Sequence, residues 1–178
     1  MLLSHAADRV AELTCALPYC HLDDAKDISE SLLPSSSLVS IARNLVDAVW
    51  TDRPPRPENP ATVHPPEYAG RSVEDKLRDV RAALSAHKVK HLKGTIVNML
   101  DEVAWLFNLR GTDIPYNPVF FAYGIVTEDQ ATLFVDSDKL NDAVYKHLGK
   151  AVSVRPYEDI LPACRELGQS LQSGHKVG

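Results

Sequence analysis

At 178 residues the chain is long enough to bury a core and short enough to be one domain with part of a second. A net charge of -5, with the basic residues scattered, gives no electrostatic footprint for nucleic acid or for an anionic membrane. No apolar run reaches bilayer length, Met1-Leu2-Leu3 opens no signal-peptide pattern, and the odd set Cys15, Cys20 and Cys164 makes no closed disulfide framework, so a soluble, cytoplasmic protein is expected.

Leu3, Ala6, Val10, Leu13 and Leu17 recur at helical spacing, which predicts a helix over residues 2–17 before Pro18. Asp23 and Asp24 place negative charge ahead of Ile28, Leu32 and Leu33, as at the start of a second helix that ends before Pro34. With no strand expected between them, residues 1–50 read as the mostly helical end of a domain, because an α/β layer needs a sheet to pack on. Residues 37–50 fit two descriptions: a short strand over 37–41 followed by a helix from Asn44 to Trp50, or one helix over 38–50.

Residues 51–66 carry six of the twelve prolines and must be extended, so 51–71 is assigned as a proline-rich linker. A stiff spacer and a ligand for a partner's aromatic groove are its two readings. Beyond it, residues 72–171 form the main α/β unit. Ser72 caps a helix whose buried stripe is Val73, Leu77, Val80 and Leu84, ending near His87. Gly94 to Met99 is a buried strand and Asp101 starts a short helix that stops at Gly111. Val119 to Val126 and Ala131 to Val135 form an antiparallel hairpin around 127–130. A helix from Asp136 carries Leu140, Val144 and Leu148 and stops at Gly149; a strand at 152–154 and a helix over 157–171 follow, and 172–178 is expected to be a flexible tail. The fold class is therefore α/β, a mixed sheet with an antiparallel hairpin and helices on its faces, preceded by a partial helical segment.

The chain has no nucleophile elbow, phosphate loop or dinucleotide fingerprint. Its seven histidines are dispersed; Cys15, Cys20 and His21 lack a second ligand pair, and His87 and His91 sit among lysines past a helix end, so no metal site is expected. Asp101 and Glu102 point about 100 degrees apart on a helix and suit its N-terminus better than acid/base chemistry. The polar loop after Trp105 is the exception. There Asn108, Arg110, Tyr116 and Asn117 form a set able to grip a carboxylate or a peptide backbone, although Arg110 can equally lock the loop by pairing with Asp113.

Asn44-Leu45-Val46-Asp47-Ala48-Val49-Trp50-Thr51-Asp52-Arg53-Pro54, Tyr68-Ala69-Gly70-Arg71-Ser72-Val73-Glu74-Asp75-Lys76 and the whole stretch from Leu100 to Tyr123 resemble the cytosolic Xaa-Pro aminopeptidases, or aminopeptidase P enzymes. The resemblance runs from about Ser37 to Leu167. It implies two creatinase-like N-terminal α/β domains followed by a pita-bread metallopeptidase domain, which releases an N-terminal residue preceding proline at a dinuclear centre, commonly of manganese. On that pattern residues 1–50 are a remnant of the first creatinase-like domain and 72–171 are the second. The family's metal ligands and proton-shuttling histidines lie in the third domain and match no residue here, so this chain is expected to be inactive alone, with no catalytic residue and no cofactor of its own. The expected role is a non-catalytic domain that helps to shape the substrate cleft, with Asn108, Arg110, Tyr116 and Asn117 at its rim. The expected partners are a missing or separate peptidase domain and, in the full-length family, a proline-containing peptide. The alternative is an interaction module that pairs with a full-length aminopeptidase or with itself as a homodimer; a third reading is a small-molecule binder that reuses the Arg110 loop.

Overall fold

The computed structural model describes residues 13–14, 22–39, 45–88, 92–170 and 176–177, and the chain divides into two compact units, Met1–Pro55 and Arg56–Gly178. In the first unit, strand β1 (Leu13–Thr14) pairs in parallel with β2 (Leu38–Val39), Leu13 opposite Leu38. Helix α1 (Leu22–Ser31) lies between them in sequence, as a parallel pair requires of its crossover, and α2 (Leu45–Val49) follows. Leu13–Thr14 are the only described residues of the helix expected over 2–17, and they are strand. Helical spacing of apolar residues does not exclude a two-residue strand whose pairing partner lies 25 positions away. Of the two descriptions of 37–50, strand followed by helix is the one that forms.

The second unit is built on a five-stranded mixed sheet in the order β8-β7-β6-β4-β9: β4 is Leu92–Val97, β6 Ala122–Thr127, β7 Ala131–Val135, β8 Ser153–Arg155 and β9 Lys176–Val177. β6 pairs antiparallel with both β4 and β7, whereas β8 and β9 join in parallel at the two edges. The expected hairpin is the centre of this sheet. Alternation along β7 sends Ala131, Leu133 and Val135 to one face and Phe134 to the other. The first face packs on α4 (Val73–Ala86), α5 (Leu100–Leu106) and α6 (Asp142–Leu148) through Leu77, Val103, Leu106 and Leu148. The second face is covered by α7 (Ile160–Ser170), through Ile160 and Ala163, and by Tyr157 against Tyr123. Each such large apolar side chain stabilises the fold by about 1.5–3 kcal/mol when fully buried.

The expected caps form at both ends where a residue satisfies the helix terminus, by side chain or by backbone. Ser72 Oγ accepts from the Asp75 N–H at 3.1 Å, and Gly149 closes α6 at φ 57° with its N–H on the Tyr145 carbonyl. The helix expected from Asp136 is instead a 3-10 turn over Ser137–Lys139, because Asn141 Oδ1 takes the Val144 N–H at 3.1 Å and restarts the chain as α6. The helix expected from Tyr157 likewise opens as a 3-10 turn, Tyr157–Asp159, ahead of α7. In the stretch expected to be a flexible tail, Lys176–Val177 add an edge strand beside Leu92 and Gly94; residues 172–175 and 178 lie outside the described residues.

From Arg56 onward the proline-rich stretch is fastened to this second unit. The Ala61 N–H donates to the Lys139 carbonyl at 2.8 Å, and β3 (Thr62–Val63) pairs antiparallel with β5 (Leu109–Arg110). The His64 N–H continues that ladder to the Asn108 carbonyl at 2.8 Å, and the short helix α3 (Pro66–Ala69) ends at Gly70 in the left-handed region. Prolines donate no backbone hydrogen bond, but the residues between them do.

Candidate functional site

The loop joining α5 to β6 begins with Asn108 at φ 50°, a left-handed conformation that asparagine tolerates better than most residues. Its side chain is 1% exposed and fully engaged: Oδ1 accepts from Lys76 Nζ at 2.6 Å and Nδ2 donates to the Arg71 carbonyl at 2.8 Å. Lys76 is itself buried, donates also to the Trp105 carbonyl at 2.8 Å, and lies 4.5 Å from the centre of the Trp105 ring. Burial, and then the positive charges of Arg110 and Arg71, hold the Lys76 ammonium below the usual lysine pKa.

The far end of the loop is held by Asp113. Its Oδ2 accepts from the Phe121 N–H at 2.7 Å and from Lys139 Nζ, while Lys139 reaches the Pro57 carbonyl at 2.6 Å. This pair answers the question of Arg110: Asp113 is taken by Lys139, and Arg110 makes no ion pair among the described residues. Its Nη1 donates to the Ala104 carbonyl at 3.2 Å and the Leu109 carbonyl at 2.8 Å, closing the C-terminal turn of α5. Tyr116, at φ 64°, stands fully in solvent at the tip of the Ile114–Asn117 turn, with Asn117 exposed beside it. The four residues singled out from the sequence thus divide: Asn108 acts from beneath, Arg110 is half-buried with part of its fork open, and Tyr116 and Asn117 form the tip.

His64, Thr62 and Lys76 complete the surroundings of Arg110; none is marked in the sequence, since a strand inside a proline-rich stretch leaves no periodicity at Thr62 and His64, and the burial of Lys76 depends on Asn108, 32 positions on. Partial burial, then Arg110 and then Lys76, hold the His64 pKa below its usual value, and the ring lies 6.1 Å from that of Tyr68.

A second hollow, of about 460 Å³, opens on the sparsely covered sheet face between Ile96, Tyr123, Tyr157, Ile160, Leu161 and Cys164. The Tyr123 and Tyr157 hydroxyls are 3.3 Å apart, and Arg56 stacks 4.5 Å from the Tyr157 ring while pairing with Glu158 at 3.3 Å. Burial, reinforced by the Tyr123 hydroxyl, pushes the Tyr157 pKa far up, and burial also raises that of the Cys164 thiol, which therefore offers little thiolate. No three His, Cys, Asp or Glu side chains converge as metal ligands among the described residues; Cys15, Cys20, His21 and His91 lie outside them. No helix among the described residues is long and apolar enough to cross a membrane.

The family model described as Creatinase/Prolidase N-terminal domain matches residues 52–177. The chain belongs to that family. It is 53% identical over 152 residues to a protein of Paracoccidioides lutzii named "Probable Xaa-Pro aminopeptidase P", covering 84% of this chain and 24% of the relative. A Coccidioides posadasii protein of the same name is 48% identical over 157 residues, covering 87% of this chain and 25% of the relative. Among solved structures, the X-prolyl aminopeptidase from Caenorhabditis elegans, described as a cytosolic enzyme with a di-nuclear active site, superposes with a TM-score of 0.77 at 31% identity. That match covers 87% of this chain and 25% of the worm protein. The creatinase N-terminal-like domain with its mixed sheet and helices agrees with the α/β class expected from the sequence. The chain spans about a quarter of the length of the relatives it matches.

Proposed function

We propose that this chain is a non-catalytic domain of an Xaa-Pro aminopeptidase-like metallopeptidase, where it walls part of the cleft that receives a proline-containing peptide. The observation that carries the reading is the Arg110 loop. It is locked from beneath by Asn108 and from the far side by Asp113, yet it presents a partly open guanidinium and an exposed tyrosine to solvent. Rigid support under an exposed polar edge is what a binding rim needs. The chemistry itself would belong to a peptidase domain and its divalent metal, manganese in the first instance, acting in the cytoplasm. Hydrolysis of an Xaa-Pro peptide by the purified 178-residue chain with added manganese tests the first half; turnover at enzyme-like rates overturns it. A chimera tests the second half, with this chain replacing the matching quarter of the Paracoccidioides lutzii protein. Arg110→Gln in the chimera is expected to raise KM more than it lowers kcat, and an unchanged KM counts against a rim role.

A second reading, an interaction module pairing with a full-length aminopeptidase or with a second copy, is favoured by the apolar hollow beside Leu161, which is 64% exposed. Sedimentation at rising concentration tests self-association. A strictly monomeric chain removes the homodimer.

A further inference from the structure

The guanidinium of Arg110 has five N–H donors in a rigid fork, and the two on Nη1 face the Ala104 and Leu109 carbonyls. The Nε and Nη2 donors, the edge that matches a carboxylate with two parallel hydrogen bonds, have no partner among the described residues. No carboxylate among the described residues answers the charge either: Asp113 is held by Lys139, and Asp79 pairs with Arg71. Lys76 adds a second positive charge with no acidic partner among the described residues, bound only to a carbonyl, an amide oxygen and an indole face. The result is a spot of uncompensated positive charge.

The β3–β5 ribbon sets what surrounds this edge. Thr62 lies directly opposite Arg110, so the two side chains share a face, while Leu109, opposite Val63, is fully buried in the core. His64 follows two residues after Thr62 with its N–H on Asn108, which returns it to the same face. Trp105, 51% exposed, and Tyr68, 73% exposed, border the spot with apolar surface. We propose that the Nε–Nη2 edge of Arg110, flanked by His64 and Thr62 and bordered by Trp105 and Tyr68, is a binding site for a peptide carboxylate. A planar, bidentate anion fits one open guanidinium edge beside aromatic rings better than a phosphate does, since a phosphate draws on several cations. The site deepens the cleft reading and rests on it for its biological meaning, but the binding is a property of this chain alone.

The test uses the 178-residue chain and four probes: acetyl-Gly-Pro-Phe with a free C-terminus, the same peptide as its amide, acetyl-Gly-Pro-Glu-amide, and inorganic phosphate. Binding is followed through the Arg110 Nε–H resonance and Trp105 fluorescence. The free acid is expected to bind about tenfold tighter than the amide, weakening with added salt, and Arg110→Gln is expected to reduce it to the amide level. Arg110→Lys keeps the charge without the fork and is expected to recover only part of the affinity. If Arg110→Gln disturbs the fold, His64→Gln and Arg110→Lys decide, each being expected to weaken the acid and leave the amide unchanged. Preference for acetyl-Gly-Pro-Glu-amide over the C-terminal acid assigns the carboxylate to an acidic side chain, and the reverse assigns it to a chain end. Equal binding of acid and amide, tighter binding of inorganic phosphate, or no saturable shift at Arg110 overturns the site. A chimera whose KM ignores Arg110 while these titrations succeed would remove the cleft reading and keep the carboxylate site.

Discussion

Lys139 Nζ and the Asp113 carboxylate form a buried ion pair, their side chains 3% and 0% exposed, that ties the Arg110 loop to the segment after β7 and to the Pro57 carbonyl. Such a pair earns little net stability against an apolar replacement, but breaking it strands a charge. Lys139→Met or Asp113→Leu alone is expected to cost about 3–5 kcal/mol in urea unfolding, and the double variant much less than the sum. Additive losses would show that the two charges do not act as a pair. Asp113 Oδ1, buried without a partner, is already a cost that the double variant removes.

Asn108 supports the loop by conformation and by hydrogen bonds, and two substitutions separate them. Asn108→Gly relieves the φ of 50° and loses the bonds to Lys76 and Arg71; Asn108→Ala loses the bonds and keeps the strain. Alanine is expected to cost roughly 3 kcal/mol and glycine about 1 kcal/mol less. Lys76→Met, which removes the buried charge, is expected to restore part of the loss in the Asn108→Ala background. Denaturant midpoints of the four proteins check this order.

Two titrating groups predict the shape of the stability curve against pH. The His64 pKa is lowered in the fold, so the unfolded chain takes up this proton first, and stability falls as pH drops through about 6.5. The Tyr157 pKa is raised, so its contribution is complete below about pH 10 and is lost as pH climbs above it. Thermal melts across pH should show both shoulders; His64→Gln should flatten the acid one and Tyr157→Phe the alkaline one. Absorbance at 295 nm should show Tyr157 ionising above the ordinary tyrosine range.

What the sequence disclosed follows from what is local in the chain. The hairpin, the Ser72 cap and the Gly149 stop each rest on neighbours a few positions apart, and each formed. Leu13–Thr14, Thr62–Val63 and Lys176–Val177 are two-residue strands whose partners lie 25 to 84 positions away, and two residues carry no period. The candidate site shows the same division. Arg110 was visible because arginine in a shaped polar loop is conspicuous, but the choice between Asp113 and an outside carboxylate depended on Lys139, which a 3-10 turn brings back from 26 positions on. Asn108 looked like a ligand and is a buried support, since polarity in a sequence does not tell inward from outward.

Gly111 gives the sharpest local test of how the loop is seated. A Cβ built there would lie 2.5 Å from Phe120 Cβ and 3.1 Å from the Val119 carbonyl oxygen, and Phe120 is fully buried in the core, so neither neighbour has room to yield. At Gly124 the nearest atom is Phe107 Cε2 at 3.1 Å, the edge of a ring that can tilt. Gly111→Ala is therefore expected to cost at least about 3 kcal/mol and Gly124→Ala about 1 kcal/mol, measured as shifts in urea midpoint at constant slope. Gly111→Ala should also displace Arg110 and weaken the carboxylate probe, because the strain enters between the α5 end and the Asp113 anchor. Gly124→Ala, on the hairpin strand beneath Phe107, should leave that binding intact. A Gly111→Ala protein with wild-type stability would mean that β5 and Val119–Phe120 lie farther apart than this packing requires.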